Sequence, residues 1–137
     1  MSRHVVASVG EIAAGTCKIV TVKGREIGVF FVSGEYFALF NRCPHEGAPL
    51  CRGRLLGLME ADRPGAYRLS RLGEMLRCPW HGWEFDIRTG QSWCEPDSVR
   101  ARTYNVSVEP GGALAKGPFA AETVPVSLER DYVVVEV

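Results

Sequence analysis

The sequence predicts an all-β fold of short antiparallel strands, and three observations carry that reading. Short runs rich in Val, Ile, Thr and aromatic residues recur along the chain, each bounded by Gly, Pro, Asn or Asp. No helical periodicity competes with them in the N-terminal third. Two boxes bearing Cys and His, at residues 43–45 and 78–81, fall between such runs, which places them on loops held at strand ends.

Taken in order, residues 3–8 are the first candidate strand, with turns at Gly10 and Gly15 after them. The start, with His4, is expected to be frayed. Residues 16–22 are β-branched, Lys23-Gly24 is a tight turn, and 25–32 is the hairpin partner. Ser33-Gly34-Glu35 turns the chain into 36–40, so these three strands form an antiparallel meander. The first box opens directly after it. Residues 53–59 read as a strand, Asp62-Arg63-Pro64-Gly65 as a turn, and 66–72 as the returning strand. Residues 74–77 then deliver the chain to the second box. Residues 83–87 leave that box, Thr89-Gly90 turns toward Ser92 and Trp93, and Pro96-Asp97 makes another loop. A strand over 102–109 is followed by a turn at Pro110-Gly111-Gly112. After a looser region through Pro118 and Pro125, a last strand over 132–137 completes a sheet or a subunit contact. Tyr36, Phe37, Phe40 and Phe85 are read as core.

The chain of 137 residues is expected to be one domain, 1–137, long enough to bury a real core. Apolar residues at 46% and charged residues at 23% suit a soluble globular protein. Lys+Arg and Asp+Glu number 16 each, so the excess positive charge that meets phosphates in nucleic-acid binders is missing. The start, MSRHVVASVGEIAAG, has no apolar signal core, and no apolar run is long enough to span a bilayer. A cytoplasmic protein with no membrane contact is expected. Five Cys is an odd number and fits poorly with a disulfide framework. Cys17, Cys51 and Cys94, which lie outside the boxes, are read as reduced, packed thiols.

The chain is organised around residues 42–86. Cys43-Pro44-His45 and Cys78-Pro79-Trp80-His81 each offer one thiolate and one imidazole, and Gly47 and Gly82 follow them. Such C-x-H and C-x-x-H boxes can hold a metal centre between two loops. Thiolate is the metal-binding form of Cys, and imidazole binds through a nitrogen lone pair. A [2Fe–2S] centre with two Cys on one iron and two His on the other uses this mixed set. Its potential is raised because neutral imidazoles replace anionic thiolates. Tetrahedral zinc is the competing occupant. Pro44 and Pro79 stiffen the loops, while Gly47 and Gly82 let the chain curl so that backbone N–H groups point inward.

These boxes, with the aromatic continuation Trp83-Glu84-Phe85-Asp86, resemble a Rieske iron–sulfur domain, and the likeness covers residues 5–108. The resemblance implies the Rieske fold: an antiparallel sandwich or barrel-like base with a cluster-binding subdomain of two loops, here about 42–93. It implies one Rieske-type [2Fe–2S] cluster per chain, with Cys43 and Cys78 on one iron and His45 and His81 on the other. The gap between His45 and Cys78 is longer than is usual in the family, and an extended hairpin over about 54–76 accounts for it. High-potential members pair two further Cys between the loops, and the matching positions here are Ala48 and Trp80. Those members also aim a Ser and a Tyr hydroxyl at the cluster. Here Trp83 and Phe85 stand at those positions and can donate no hydroxyl, which lowers the expected potential to about −150 mV.

The second box also resembles the Rieske portion of ring-hydroxylating oxygenases, whose separate iron needs two His and a carboxylate. With three His in the chain, only His4 remains outside the boxes, so no catalytic site is expected. The resemblance therefore implies a one-electron carrier, a Rieske-type ferredoxin passing electrons from a reductase to a terminal oxygenase. The alternatives are an electron-delivery subunit of another system, a redox-sensing module, and a small subunit of an assimilatory reductase, against which the intact ligand set argues. Pro44, Leu50, Pro79 and Trp80 are read as an apolar rim at the electron exit. Trp80 and Trp83 are read as shields for the cluster. The hairpin and its flanks carry Arg52, Arg54, Arg63, Arg68, Arg71 and Arg77 against Glu60, Asp62 and Glu74. They are either a basic docking face or a solvated edge whose charges discourage strand pairing.

Overall fold

Two hairpin turns, each of two residues, start the fold. Lys23 and Gly24 take φ of 52° and 75°, and Ser33 and Gly34 take 51° and 78°. Paired positive φ values match the twist of the flanking strands, which is why such turns favour Gly at the second position. They link β2 (Thr16–Val22), β3 (Arg25–Val32) and β4 (Glu35–Phe40) into the expected meander. The structure is a computed structural model; it describes residues 3–45, 47–61, 65, 67–80, 82–92, 99–114 and 130–137, with side chains outside 57–61, 67–73 and 113–114.

The chain divides into two compact units. The first comprises Met1–Ala38 and Tyr104–Val137. Its sheet runs in the order β1 (Arg3–Ser8), β9 (Asp131–Glu136), β8 (Thr103–Pro110), β4, β3, β2. The intervening labels β5 to β7 belong to the second unit. β9 lies between β1 and β8, and its Tyr132 to Val135 are buried without alternation, as expected of a strand covered on both faces. Val6, Ala7, Val20, Val22, Ile27, Val29, Val133 and Val135 form the core here, each buried Val or Ile side chain contributing about 1.5–3 kcal/mol. Phe31 and Tyr36 stack against it with ring centroids 4.5 Å apart. Arg3 reaches across β9 to donate to Glu109 Oε1 at 2.7 Å and Ser107 Oγ at 3.1 Å.

Two expectations change in this unit. His4 is not frayed: it pairs with Val135 in the β1–β9 ladder and is buried. The reason is long-range, because β9 supplies the ladder that holds the N-terminal strand. Pro110-Gly111-Gly112 is not a plain turn. β8 continues through Pro110, and Gly111–Leu114 forms a single helical turn, α1, with Gly111 N–H donating to Arg130 O at 2.7 Å.

The second unit is Leu39–Thr103. A 3-10 turn at Leu50–Arg52 leads into a sheet of order β5 (Arg54–Ala61), β6 (Tyr67–Arg77), β7 (Glu84–Asp86). Residues 66–72 and 74–77, expected as separate pieces, fall on the single strand β6, apart from residue 66, which lies outside the described residues. Leu56 pairs with Met75 but Leu58 pairs with Ser70, so β6 accommodates its extra residues in a bulge. The predicted Asp62-Arg63-Pro64 portion of the turn lies outside the described residues, as do Trp93, Pro96-Asp97, Pro118 and Pro125. Leu50, Met75, Leu76, Phe85, Ile87 and Ala101 are buried in this unit, and Phe85 meets its core assignment fully. Phe37 and Phe40, like Tyr36, are only half-buried. The fold is all-β apart from these two short turns of helix among the described residues. No helix among them is long and apolar enough to cross a membrane.

Candidate metal centre

Each Cys box begins where a strand ends, and each closes the same backbone ring. In the first loop Cys43 N–H donates to Ala48 O at 2.7 Å, and Gly47 N–H donates back to Cys43 O at 2.8 Å. In the second loop Cys78 N–H donates to Trp83 O at 2.7 Å, and Gly82 N–H to Cys78 O at 3.1 Å. Donor and acceptor offsets are identical, so Ala48 and Trp83 occupy equivalent places. Gly47 and Gly82 sit at the same ring corner with φ of 83° and 72°, a conformation that side-chain-bearing residues rarely adopt.

An arginine backs each corner. A Cβ on Gly47 would come within 3.3 Å of the Arg42 guanidinium, and one on Gly82 within 3.1 Å of that of Arg77. The repeated triplet Arg-Cys-Pro, at 42–44 and 77–79, is the sequence signal for this pairing. The second loop is further fixed by Gly53, where a Cβ would lie 1.8 Å from Arg77 O. Only hydrogen fits there, so the 3-10 turn can approach the strand that delivers Cys78.

Cys43 and Cys78 are buried, 1% and 2% exposed, and neither forms a disulfide. The His45 ring stacks on Trp83 with centroids 4.0 Å apart and planes 14° from parallel. This stack joins the two loops and is the contact that sequence reasoning missed, since it needs both loops in place. Nδ1 of His45 is shut away from water. His81, the fourth predicted ligand, lies outside the described residues. No group of three or more His, Cys, Asp or Glu among the described residues is gathered closely enough for a single metal ion. A two-iron core asks for a wider spread, because its ligands divide between two metals.

The surrounding residues sort differently from expectation. Leu50 is not part of an exposed rim: it is fully buried in the 3-10 turn. Pro44 and Pro79 are exposed. Trp80 is 58% exposed, whereas half-buried Trp83 covers His45. Cys51 is a buried free thiol whose Sγ contacts Leu39 O at 3.5 Å and whose N–H donates to Asn41 Oδ1 at 2.8 Å, tying the first loop's flank. Cys17 is also free and half-buried in β2, and Cys94 lies outside the described residues.

With that geometry in place, known proteins can be set beside it. Residues 2–105 match the family model of the Rieske [2Fe-2S] domain. The ferredoxin component of the naphthalene 1,2-dioxygenase system of Pseudomonas aeruginosa is 32% identical over 99 residues, covering 72% of this chain and 80% of that one. The ferredoxin of carbazole 1,9a-dioxygenase from Nocardioides aromaticivorans IC177 has a similar structure, with a TM-score of 0.61 at 22% identity over 97% of both chains. A ferredoxin of Sphingomonas yanoikuyae B1 superposes with a TM-score of 0.59 at 28% identity, covering 79% of this chain and 91% of its own.

Proposed function

This chain belongs to the Rieske [2Fe–2S] domain family, and we propose that Cys43, His45, Cys78 and His81 hold its cluster, thiolates on one iron and imidazoles on the other. The chain is an electron-transfer component with no catalytic site of its own. It accepts one electron from a reductase and passes it to a terminal oxygenase of the ring-hydroxylating type, a reading supported by a relative named as the ferredoxin component of a naphthalene 1,2-dioxygenase system. When bound, the cluster supplies a one-electron couple of raised potential.

The residues present fit that group. Two buried thiols on matching rings provide soft ligands without bulk water beside them. Trp83 holds the plane of the His45 imidazole, as outer residues do for metal-bound His. The observation that carries the reading is this stack, because it brings a ligand of the first box against the second loop. Trp83 and Phe85 offer no hydroxyl to stabilise the reduced state, so the potential is expected near the low end of the range, about −150 mV. The chain works as one domain over 1–137, with its cluster-binding part about 42–93. Two free thiols, Cys17 and Cys51, suit a reducing, cytoplasmic setting.

The test is direct. Purified holoprotein should be coloured and give a rhombic paramagnetic signal after reduction by dithionite, with a potential near the stated value. A colourless protein that takes up zinc, or a potential above about +100 mV, would overturn the reading. Sustained flux from a reductase to an oxygenase separates a carrier from a sensor, which changes partner affinity on reduction without turnover.

A further inference from the structure

A cavity of about 590 Å³ opens beside the second loop, lined by Arg52, Arg54, Arg77, Cys78, Pro79 and Trp80 among others. Among the described residues its charge is one-sided. Arg54 and Arg77 are register partners across β5 and β6, an arrangement in which like charges oppose each other directly. Arg52 ends the 3-10 turn just before them. All three side chains are exposed, and none forms an ion pair with a described residue. Glu84 pairs with Arg77 from the β7 side but does not line the cavity. The chain as a whole is neutral, so this is a local concentration of positive charge.

Three cations around one opening repel each other until an anion enters. The rim indicates which kind. The cavity is far larger than one carboxylate needs, and Trp80 on its wall is the aromatic among the large exposed apolar side chains of the described residues. Exposed Trp beside Arg is the composition of an interface anchor, where an apolar side chain finds a pocket and guanidinium forks meet carboxylates. Cys78, a proposed cluster ligand, lines the same cavity. A protein seated there therefore lies against the loop that supplies a proposed cluster ligand.

We propose that this cavity is the docking site for an acidic protein surface, a carboxylate-bearing patch on the redox partner of this chain. The proposal rests on the electron-carrier reading and adds the chemistry of recognition to it. Attraction acts locally, and at physiological salt it reaches about 8 Å, so Arg52, Arg54 and Arg77 orient a partner at close range.

The test titrates holoprotein with a decaglutamate peptide, with decalysine and inorganic phosphate as comparisons, by calorimetry at about 20 mM and about 150 mM salt. Decaglutamate should bind, weaken at the higher salt, and lose at least about tenfold in affinity in an Arg52→Gln/Arg54→Gln variant with an unchanged visible spectrum. Trp80→Ala is the second variant and should weaken binding without altering the salt dependence. Equal binding of decaglutamate by the double variant, or of decalysine by the wild type, overturns the site. So does phosphate that fills the cavity and blocks the peptide, which would make it a small-anion pocket. Reduction and reoxidation of the same sample reads the carrier function separately. A protein that cycles one electron and ignores the peptide loses only the docking site.

Discussion

The two Cys loops share one backbone ring and differ in what closes it. Ala48 ends the first ring and is buried; Trp83 ends the second and lies flat on His45. The imidazole also moves by one position, from the second residue after Cys43 to the third after Cys78, and exposed Trp80 takes the ring position that His45 holds in the first loop. Backbone hydrogen bonding thus sets a common frame, while unequal side chains assign separate duties. The first loop is the covered member. The second loop does the covering, turns an aromatic side chain to solvent and borders the arginine cavity.

Substitution should expose the common frame first and the asymmetry afterwards. Cys43→Ser and Cys78→Ser should be equally severe, each abolishing the visible spectrum and paramagnetic signal, because each removes one proposed thiolate. A cluster surviving either change would break the equivalence of the loops. Gly47→Ala and Gly82→Ala come next, at about 1–2 kcal/mol each from the positive φ alone. The Gly82 variant should be the worse of the two, since its Cβ meets Arg77 more closely than that of Gly47 meets Arg42. Thermal unfolding followed at the cluster band checks the order.

Trp80 and Trp83 separate the loops' duties most cleanly. Trp83→Ala removes a half-buried ring and its stack, for about 1–3 kcal/mol and a faster loss of cluster. Trp80→Ala, at an exposed position, should change stability by no more than about 0.5 kcal/mol. Equal effects from the two would erase the distinction between the covering and the exposed aromatic.

Much of this was legible in the sequence, for reasons that differ between regions. Lys23-Gly24 and Ser33-Gly34 announced their hairpins because a two-residue turn is a local event, decided by which residues accept positive φ. The boxes were legible because metal ligands are chemically rare types at fixed spacing. What escaped depended on distant partners. His4 is buried because β9, at the other end of the chain, pairs with β1. Residues 66–72 and 74–77 read as two pieces, yet pairing with β5 on one side and β7 on the other keeps β6 continuous around a bulge. Leu50 looks like rim in a loop sequence but is fully buried once the 3-10 turn forms. The His45–Trp83 stack belongs to neither box alone, and local reading of either could not have produced it.

The smallest effect provides the background against which any acid sensitivity of the loops must be judged. Glu11 belongs to the sheet unit, and its carboxyl is held below the usual glutamate value chiefly by the hydrogen bond from Lys18 Nζ, with the Ser8 backbone N–H adding less. A carboxylate with a lowered folded value favours the folded state above its unfolded range. That contribution is then lost as pH falls through the lowered value. The pair is exposed, so solvent screening limits it to at most about 1 kcal/mol. Wild type and Glu11→Gln should therefore differ slightly in unfolding midpoint at neutral pH and converge in acid, below the ordinary glutamate range. Cluster absorbance at neutral pH should be identical in the two proteins. If Glu11→Gln altered the cluster band there, the loops would not be the self-contained rings that their matching hydrogen bonds describe.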